Sequence, residues 1–175
     1  HARCIAFGLR HLSKNNGLDY LILMDGDGED RPEEIKKLVE KSLAIESFSV
    51  VAKRVKRAEG IIFQALYQAH KLITLFFTGK MINFGNYSCL TKKDIKTLSD
   101  KPSLWSSFSG TFKKYINNFQ TIDSIRGKRY FGPSKMSLTQ LILHSFSIIA
   151  VFKSAVFTRS AITIFLVSFL GPLLG

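Results

Sequence analysis

The chain has 175 residues, a length that allows one domain with a sizeable core and excludes two domains of ordinary size. It carries 25 lysines and arginines against 13 acidic residues, which favours an anionic partner, and its 46% hydrophobic content favours a phosphorylated ligand or a membrane over nucleic acid. Its two isolated cysteines, Cys4 and Cys89, argue against a disulfide framework and provide no pair of metal ligands.

The first fifty residues alternate between predicted helices and strands. Apolar residues at helical spacing predict a helix over 2–12, and the nearly continuous apolar run 18–24 predicts a strand buried on both faces. A helix is predicted over 32–44, with Pro32 in its first turn, and a second strand over 48–52. This order predicts half of a doubly wound α/β sheet, whose preceding strand is missing.

The middle of the chain mixes basic, aromatic and apolar segments. A basic cluster at 53–57 follows the second strand, and an amphipathic, aromatic-rich helix is predicted after it, over 59–77. The later predictions are a strand or loop over 81–90, a short helix over 92–98, a partly helical segment over 103–118 and an edge strand over 119–125.

The end of the chain is basic and then apolar. A loop is predicted over 126–135, followed by a helix over 137–157 that is apolar almost all round. The stretch 160–175 has no charge, and its sixteen residues fall just short of the roughly 18–20 that span a bilayer. Because the sequence starts inside a helical pattern and stops inside an apolar run, we expect both ends to be truncated.

The most informative segment follows the first predicted strand, where an apolar run stops at acids with alternate spacing. Asp25, Asp27 and Glu29 are separated by glycines and lie at the expected carboxyl end of a strand, where α/β sheets bind ligands. Such carboxylates suit Mg²⁺ or Mn²⁺ bound together with substrate phosphate oxygens. The alternative is a polar turn that caps the next helix. An EF-hand fits poorly, because Asp30 and Lys36 occupy its glycine and glutamate positions.

This acidic segment is one of three motifs spread over nearly the whole chain. Residues 24–33 read Met-Asp-Gly-Asp-Gly-Glu-Asp-Arg-Pro-Glu, Arg54 and Arg57 follow the next strand, and residues 126–135 read Arg-Gly-Lys-Arg-Tyr-Phe-Gly-Pro-Ser-Lys. Their order and spacing resemble the D-x-D-x-Q-D-x-P-E, basic-pair and R-x-x-R-x-x-G-x-S-K motifs of polyprenyl-phosphate glycosyltransferases. These are membrane-attached, inverting family-2 enzymes similar to dolichyl-phosphate mannose synthase.

The resemblance implies part of a nucleotide-binding (GT-A-like) three-layer fold and a metal-dependent enzyme. The metal would bind the diphosphate of a nucleotide-sugar donor and neutralise charge on the leaving group. The acceptor, a polyprenyl phosphate, is already an anion and needs little general-base help, and attack opposite the leaving group inverts the anomeric centre. The implied residues are Asp25, Asp27 and Glu29 for the metal; Asp27, Arg54 and Arg57 for catalysis; and Asp25, Arg126, Arg129, Ser134 and Lys135 for substrate binding.

The resemblance also implies how the chain is divided. Residues 1–135 would be a partial catalytic domain, 136–159 juxtamembrane amphipathic helices and 160–175 the start of a transmembrane segment. The active site would face the cytoplasm, with a membrane and a lipid acceptor as partners, no nucleic acid, and homo-oligomerisation left open.

Two departures from the family pattern and several alternatives remain. Glu29 stands where the family usually has Gln, and residues 85–90, Gly-Asn-Tyr-Ser-Cys-Leu, stand where members often have Gly-Asp-Phe-Arg-Leu. Arg54 and Arg57 are alternatively solvated charges, and Ser134 alternatively caps the next helix. The alternative functions are a family-2 transferase that builds a polysaccharide or glycolipid directly, and a non-catalytic, basic membrane-associated remnant.

Overall fold

The computed structural model describes residues 2–44, 48–56, 61–132 and 137–174. Its helices and strands alternate along most of the chain, as the sequence predicts. In chain order they are α1 (Ala2–Leu12), β1 (Tyr20–Leu23), α2 (Ile35–Ala44), β2 (Val50–Lys56), α3 (Ile61–Thr78), β3 (Phe84–Thr91), α4 (Lys92–Ser99), α5 (Phe108–Tyr115), β4 (Gln120–Ile125), α6 (Leu138–Val151) and α7 (Lys153–Leu174), with 3₁₀ turns at Pro32–Glu34 and Pro102–Trp105.

The four strands form one mixed sheet in the order β1-β3-β2-β4. β2 and β4 are parallel, whereas β3 runs antiparallel to both β1 and β2. The predicted half of a doubly wound sheet comprises β1 and β2, which run in the same direction but are separated by the antiparallel β3, so the sheet is mixed. The predicted edge strand is confirmed, because β4 pairs with β2 alone among the described residues.

Two strand predictions need correction in their extent. β1 is shorter than the predicted 18–24, and its four residues are half-buried rather than buried on both faces, because β1 lies at a sheet edge. β2 extends to Lys56, so most of the basic cluster lies within the strand and not after it. A strand displays alternate residues on opposite faces, which lets β2 carry basic side chains next to a buried core.

Both faces of the sheet are covered by helices. Val51 and Leu90 pack on one face with buried residues of α1, α4 and α5. Val50 and Cys89 pack on the other face with Leu38 of α2. The alternation of neighbouring strand residues between two cores produces a three-layer α/β arrangement and confirms the predicted α/β class.

Hydroxyl side chains set the start of three helices. Thr91 caps α4, Ser107 caps α5, and Ser137 forms a capping box with Gln140 at the start of α6. Ser134, for which the sequence left a capping role open, lies outside the described residues.

The predicted apolar helical stretch over 137–157 is divided between two helices. α6 and α7 meet at Phe152 and are bent by 89° relative to each other. Within the described ranges, no single helix is long and apolar enough to cross a membrane, whereas this bent pair passes by length and composition. Large apolar side chains remain exposed on both helices, including Phe146, Phe157 and Phe165.

Candidate functional site

The predicted site residues converge at the edge of the sheet that is formed by strand ends, not by an outer strand. β1, β2 and β4 share a direction, so their carboxyl ends lie together at this edge, next to the amino end of antiparallel β3. Asp25 follows β1, Arg54 lies near the end of β2, and Arg126 follows β4. Near the start of β3, the amide of Asn86 donates a hydrogen bond to Oδ1 of Asp25 at 3.3 Å. The altered segment 85–90 therefore contacts the acidic motif directly.

The acidic motif forms a compact turn, here called the acidic turn (residues 25–30). Oδ1 of Asp27 accepts from the backbone N–H of Glu29 at 3.0 Å, and Oδ2 of Asp30 accepts from that of Asp25 at 2.9 Å. Gly28 has a φ of +89°, which L side chains rarely adopt. These local bonds fix the direction in which the carboxylates of the turn point.

Asp30 is the buried member of the turn, and its role is not predicted from the sequence. Its side chain is 3% exposed, and its Oδ1 lies 3.3 Å from Nη2 of Arg54. Burial raises the pKa of Asp30, while the backbone N–H of Asp25 and the charge of Arg54 act in the opposite direction. Arg54 therefore lies in the site as predicted, with its guanidinium group bound to this buried carboxylate.

A second segment, here called the arginine strap (residues 126–132), folds over the acidic turn. The backbone N–H of Gly127 donates to the carbonyl of Glu29 at 2.8 Å, and that of Tyr130 donates to the carbonyl of Asp27 at 3.0 Å. The approach is so close that a Cβ on Gly127 would lie 2.4 Å from the carbonyl oxygen of Gly28. Two sequence-distant motifs thus become one continuous site.

Ion pairs join the same two segments. Arg126 contacts one carboxylate oxygen of Glu29, and Nε of Arg129 donates to the other at 2.7 Å. Nη2 of Arg129 also lies 3.1 Å from Oδ2 of Asp27. Burial, and then the neighbouring charge of Arg129, lowers the pKa of Arg126, while the charges of Asp27 and Asp25 act in the opposite direction. Glu29 is bound by both guanidinium groups in this structure.

Buried bonds anchor the site to the sheet. The hydroxyl of Tyr87 donates to the carbonyl of Arg31 at 2.6 Å, which joins β3 to the segment after the acidic turn. The hydroxyl of Ser124 donates to Glu34, which also accepts from the backbone N–H of Ile125 at 3.4 Å. The arginine strap therefore leaves β4 from a fixed point. Neither anchor is predicted from the sequence.

Six of the nine predicted site residues come together. They are Asp25, Asp27, Glu29, Arg54, Arg126 and Arg129. Arg57, Ser134 and Lys135 lie outside the described residues, so their predicted roles remain predictions.

The predicted metal site is supported only by the chemistry of its ligands. Asp25 and Asp27 offer hard oxygen ligands, and one or two carboxylates with substrate phosphates suffice for Mg²⁺. Each carboxylate oxygen of Glu29 is already bound by a guanidinium group. In the part of the chain that the structure describes, no three histidine, cysteine or acidic side chains form a preformed metal cluster. Binding of Mg²⁺ or Mn²⁺ stays a prediction.

Comparisons with known proteins add no identification. No protein-family model, no curated protein and no solved structure matches this chain. The resemblance to polyprenyl-phosphate glycosyltransferases accordingly rests on the three motifs alone, and the function below is argued from them and from the geometry of the site.

Proposed function

We propose that this protein takes part in metal-dependent, inverting transfer of a sugar from a nucleotide-diphosphate sugar to a polyprenyl phosphate at a membrane. The observation that carries the proposal is the meeting of the acidic turn with Arg54 and the arginine strap at one sheet edge. A site that handles two phosphorylated substrates needs both a cation-binding carboxylate group and fixed guanidinium groups. This chain brings both together from segments about a hundred residues apart.

The two halves of the site suit different phosphates. Asp25 and Asp27 would hold Mg²⁺ or Mn²⁺, which supplies charge neutralisation for the diphosphate leaving group when bound. Arg126 and Arg129 offer planar guanidinium groups that suit phosphate oxygens. An acceptor that is already an anion needs positioning more than deprotonation, which fits a site rich in arginine. Arg54 would act through Asp30, by fixing the turn that carries the donor-side carboxylates.

The apolar helices support a lipid as the acceptor. Exposed large apolar side chains on α3, α6 and α7 include Leu72 (68%), Phe157 (78%) and Val167 (66%). Exposed apolar surface of this kind marks a contact with a membrane or another protein. We infer that these helices hold the site at the membrane surface on its cytoplasmic side. The nucleotide-binding (GT-A-like) character of the partial three-layer fold belongs to the same proposal.

The decisive experiment measures transfer of radiolabelled sugar into an organic-extractable lipid by the full-length protein. Asp25→Asn and Asp27→Asn should each lower the transfer rate at least about 100-fold, because a metal supplies several kcal/mol of charge stabilisation in the transition state. Asp123→Asn is the matched control, since Asp123 is exposed on β4 near the strap and should leave the rate unchanged.

The product separates the proposal from its alternatives. Label in a polysaccharide or a neutral glycolipid would favour direct synthesis of that product. Unchanged lipid labelling in both aspartate variants would refute the metal site. Absence of any transfer by the full-length protein would favour the non-catalytic membrane-associated protein.

A further inference from the structure

Glu29 is the centre of the contact between the acidic turn and the arginine strap. Its side chain is 11% exposed, and its two carboxylate oxygens are bound by two different guanidinium groups. Charge-assisted hydrogen bonds of this kind are stronger than neutral ones. Asp27, by contrast, meets one guanidinium group and one backbone N–H.

The strap needs an anion at this position. Arg126 and Arg129 carry like charges side by side, and Arg126 is partly buried, with a side chain 29% exposed. Two backbone bonds also hold the strap on the turn, but they carry no net charge. Asp27 pairs with Arg129 alone, at 3.1 Å, whereas Glu29 pairs with both guanidinium groups.

We propose that Glu29 is an internal counter-ion that keeps the arginine strap closed, and that a diphosphate-type anion opens the strap by replacing Glu29 on Arg126 and Arg129. This inference rests on the proposed function, because it concerns the same phosphate site. It assigns Glu29 a positioning role that differs from metal ligation. The internal carboxylate competes with the substrate anion, so removing its charge should strengthen anion binding.

The test compares Glu29→Gln with the parent chain in two measurements. Glutamine keeps the shape of the side chain and removes the charge that holds the guanidinium groups. Hydrogen exchange at the backbone amides of Gly127 and Tyr130 should become about tenfold faster. This factor corresponds to the free energy of one strong hydrogen bond that no longer holds the strap closed. Affinity for inorganic pyrophosphate, measured calorimetrically with EDTA present and at physiological salt, should rise about tenfold.

Matched variants isolate the role of Glu29 from general charge effects. Glu33→Gln removes the same charge three residues from the end of the turn, at a side chain that is 71% exposed. It should leave both measurements within about twofold of the parent, because exposed charges are screened by salt. Adding Arg129→Gln to Glu29→Gln should abolish the gain in pyrophosphate affinity.

The outcomes separate this inference from the proposed function. Unchanged amide exchange in Glu29→Gln would show that Glu29 does not hold the strap. Pyrophosphate binding that is equal or weaker in Glu29→Gln would refute the competition while leaving the phosphate site in place. Faster exchange without pyrophosphate binding by either protein would refute both the competition and the phosphate site of the proposed function.

Discussion

Tyr87→Phe tests whether the anchor between β3 and the acidic segment contributes to stability. Tyr87 is 2% exposed, and its hydroxyl donates to the carbonyl of Arg31 at 2.6 Å. Phenylalanine preserves the packed ring and removes this bond. We expect the free energy of unfolding at pH 7 to fall by about 1–1.5 kcal/mol, the usual net worth of a buried hydrogen bond.

The pH dependence gives this prediction a sharper form. Burial, and then the negative charges of Glu34 and Asp30, raises the pKa of Tyr87 from 10.0 to about 12. Because this tyrosine ionises at a higher pH in the folded chain than in the unfolded chain, its contribution to stability is complete below pH 10. That contribution is lost as the pH rises towards 12. Relative to Tyr87→Phe, the parent chain should lose about 1 kcal/mol by pH 11 and about 2 kcal/mol by pH 12.

The two stabilities should therefore cross near pH 11, with the phenylalanine variant becoming the more stable protein above it. Denaturant unfolding followed by circular dichroism at steps from pH 7 to pH 12 measures this directly. Tyr130→Phe is the control, because its ring is 64% exposed and it removes one tyrosine hydroxyl near the same turn. Parallel stability curves for the parent and Tyr87→Phe across this range would refute the reasoning.

Two further substitutions test the other contacts of the turn. Arg54→Met should destabilise the fold by about 2 kcal/mol at pH 7, because it leaves the buried carboxylate of Asp30 without its guanidinium partner. Burial already raises the pKa of Asp30, so proton uptake favours the folded chain and the loss of stability should shrink as the pH falls. Denaturant midpoints measure this loss, with Lys53→Met as the control. A loss that grows in acid, or one equal to that of Lys53→Met, would contradict the role of Arg54. Gly127→Ala should lift the strap, because its Cβ would lie 2.4 Å from the carbonyl oxygen of Gly28, and trypsin should then cleave faster after Arg126 and Arg129. Gly26→Ala, whose Cβ meets nothing within 4 Å, is its control, and equal cleavage of the two variants would argue against a closed strap.

Local sequence signals predicted most elements but not how the strands pair. Apolar periodicity located α1, β1, α2 and α4 to within a few residues, because each depends on neighbours along the chain. The antiparallel placement of β3 between β1 and β2 depends on contacts across the sheet, which no local pattern in residues 81–90 specifies. The break at Phe152 was missed for a similar reason, since an apolar run does not reveal where a helix bends.

The candidate site was predictable in its residue types but not in its pairing. Asp25, Asp27 and Arg126 were identified from spacing and resemblance, and the structure brings them to one edge. Glu34 is predicted only as a favourable charge near a helix start, yet its carboxylate accepts from Ser124, ninety residues away. Such a partner becomes visible only when β4 is placed beside β2.

The arginine strap also ties the site to the apolar end of the chain. The strap ends at Gly132 and α6 begins at Leu138, so the intervening chain can span at most about 20 Å. Lys114 of α5 donates to the carbonyl of Val151 at 2.7 Å, which joins the end of α6 to the body of the α/β domain. A lipid phosphate bound by Arg126 and Arg129 would thus lie within reach of the helices whose phenylalanine side chains are exposed. A soluble acceptor would gain nothing from this proximity, whereas the proposed acceptor, a phosphate carried on a lipid, would use the basic strap and the apolar helices together.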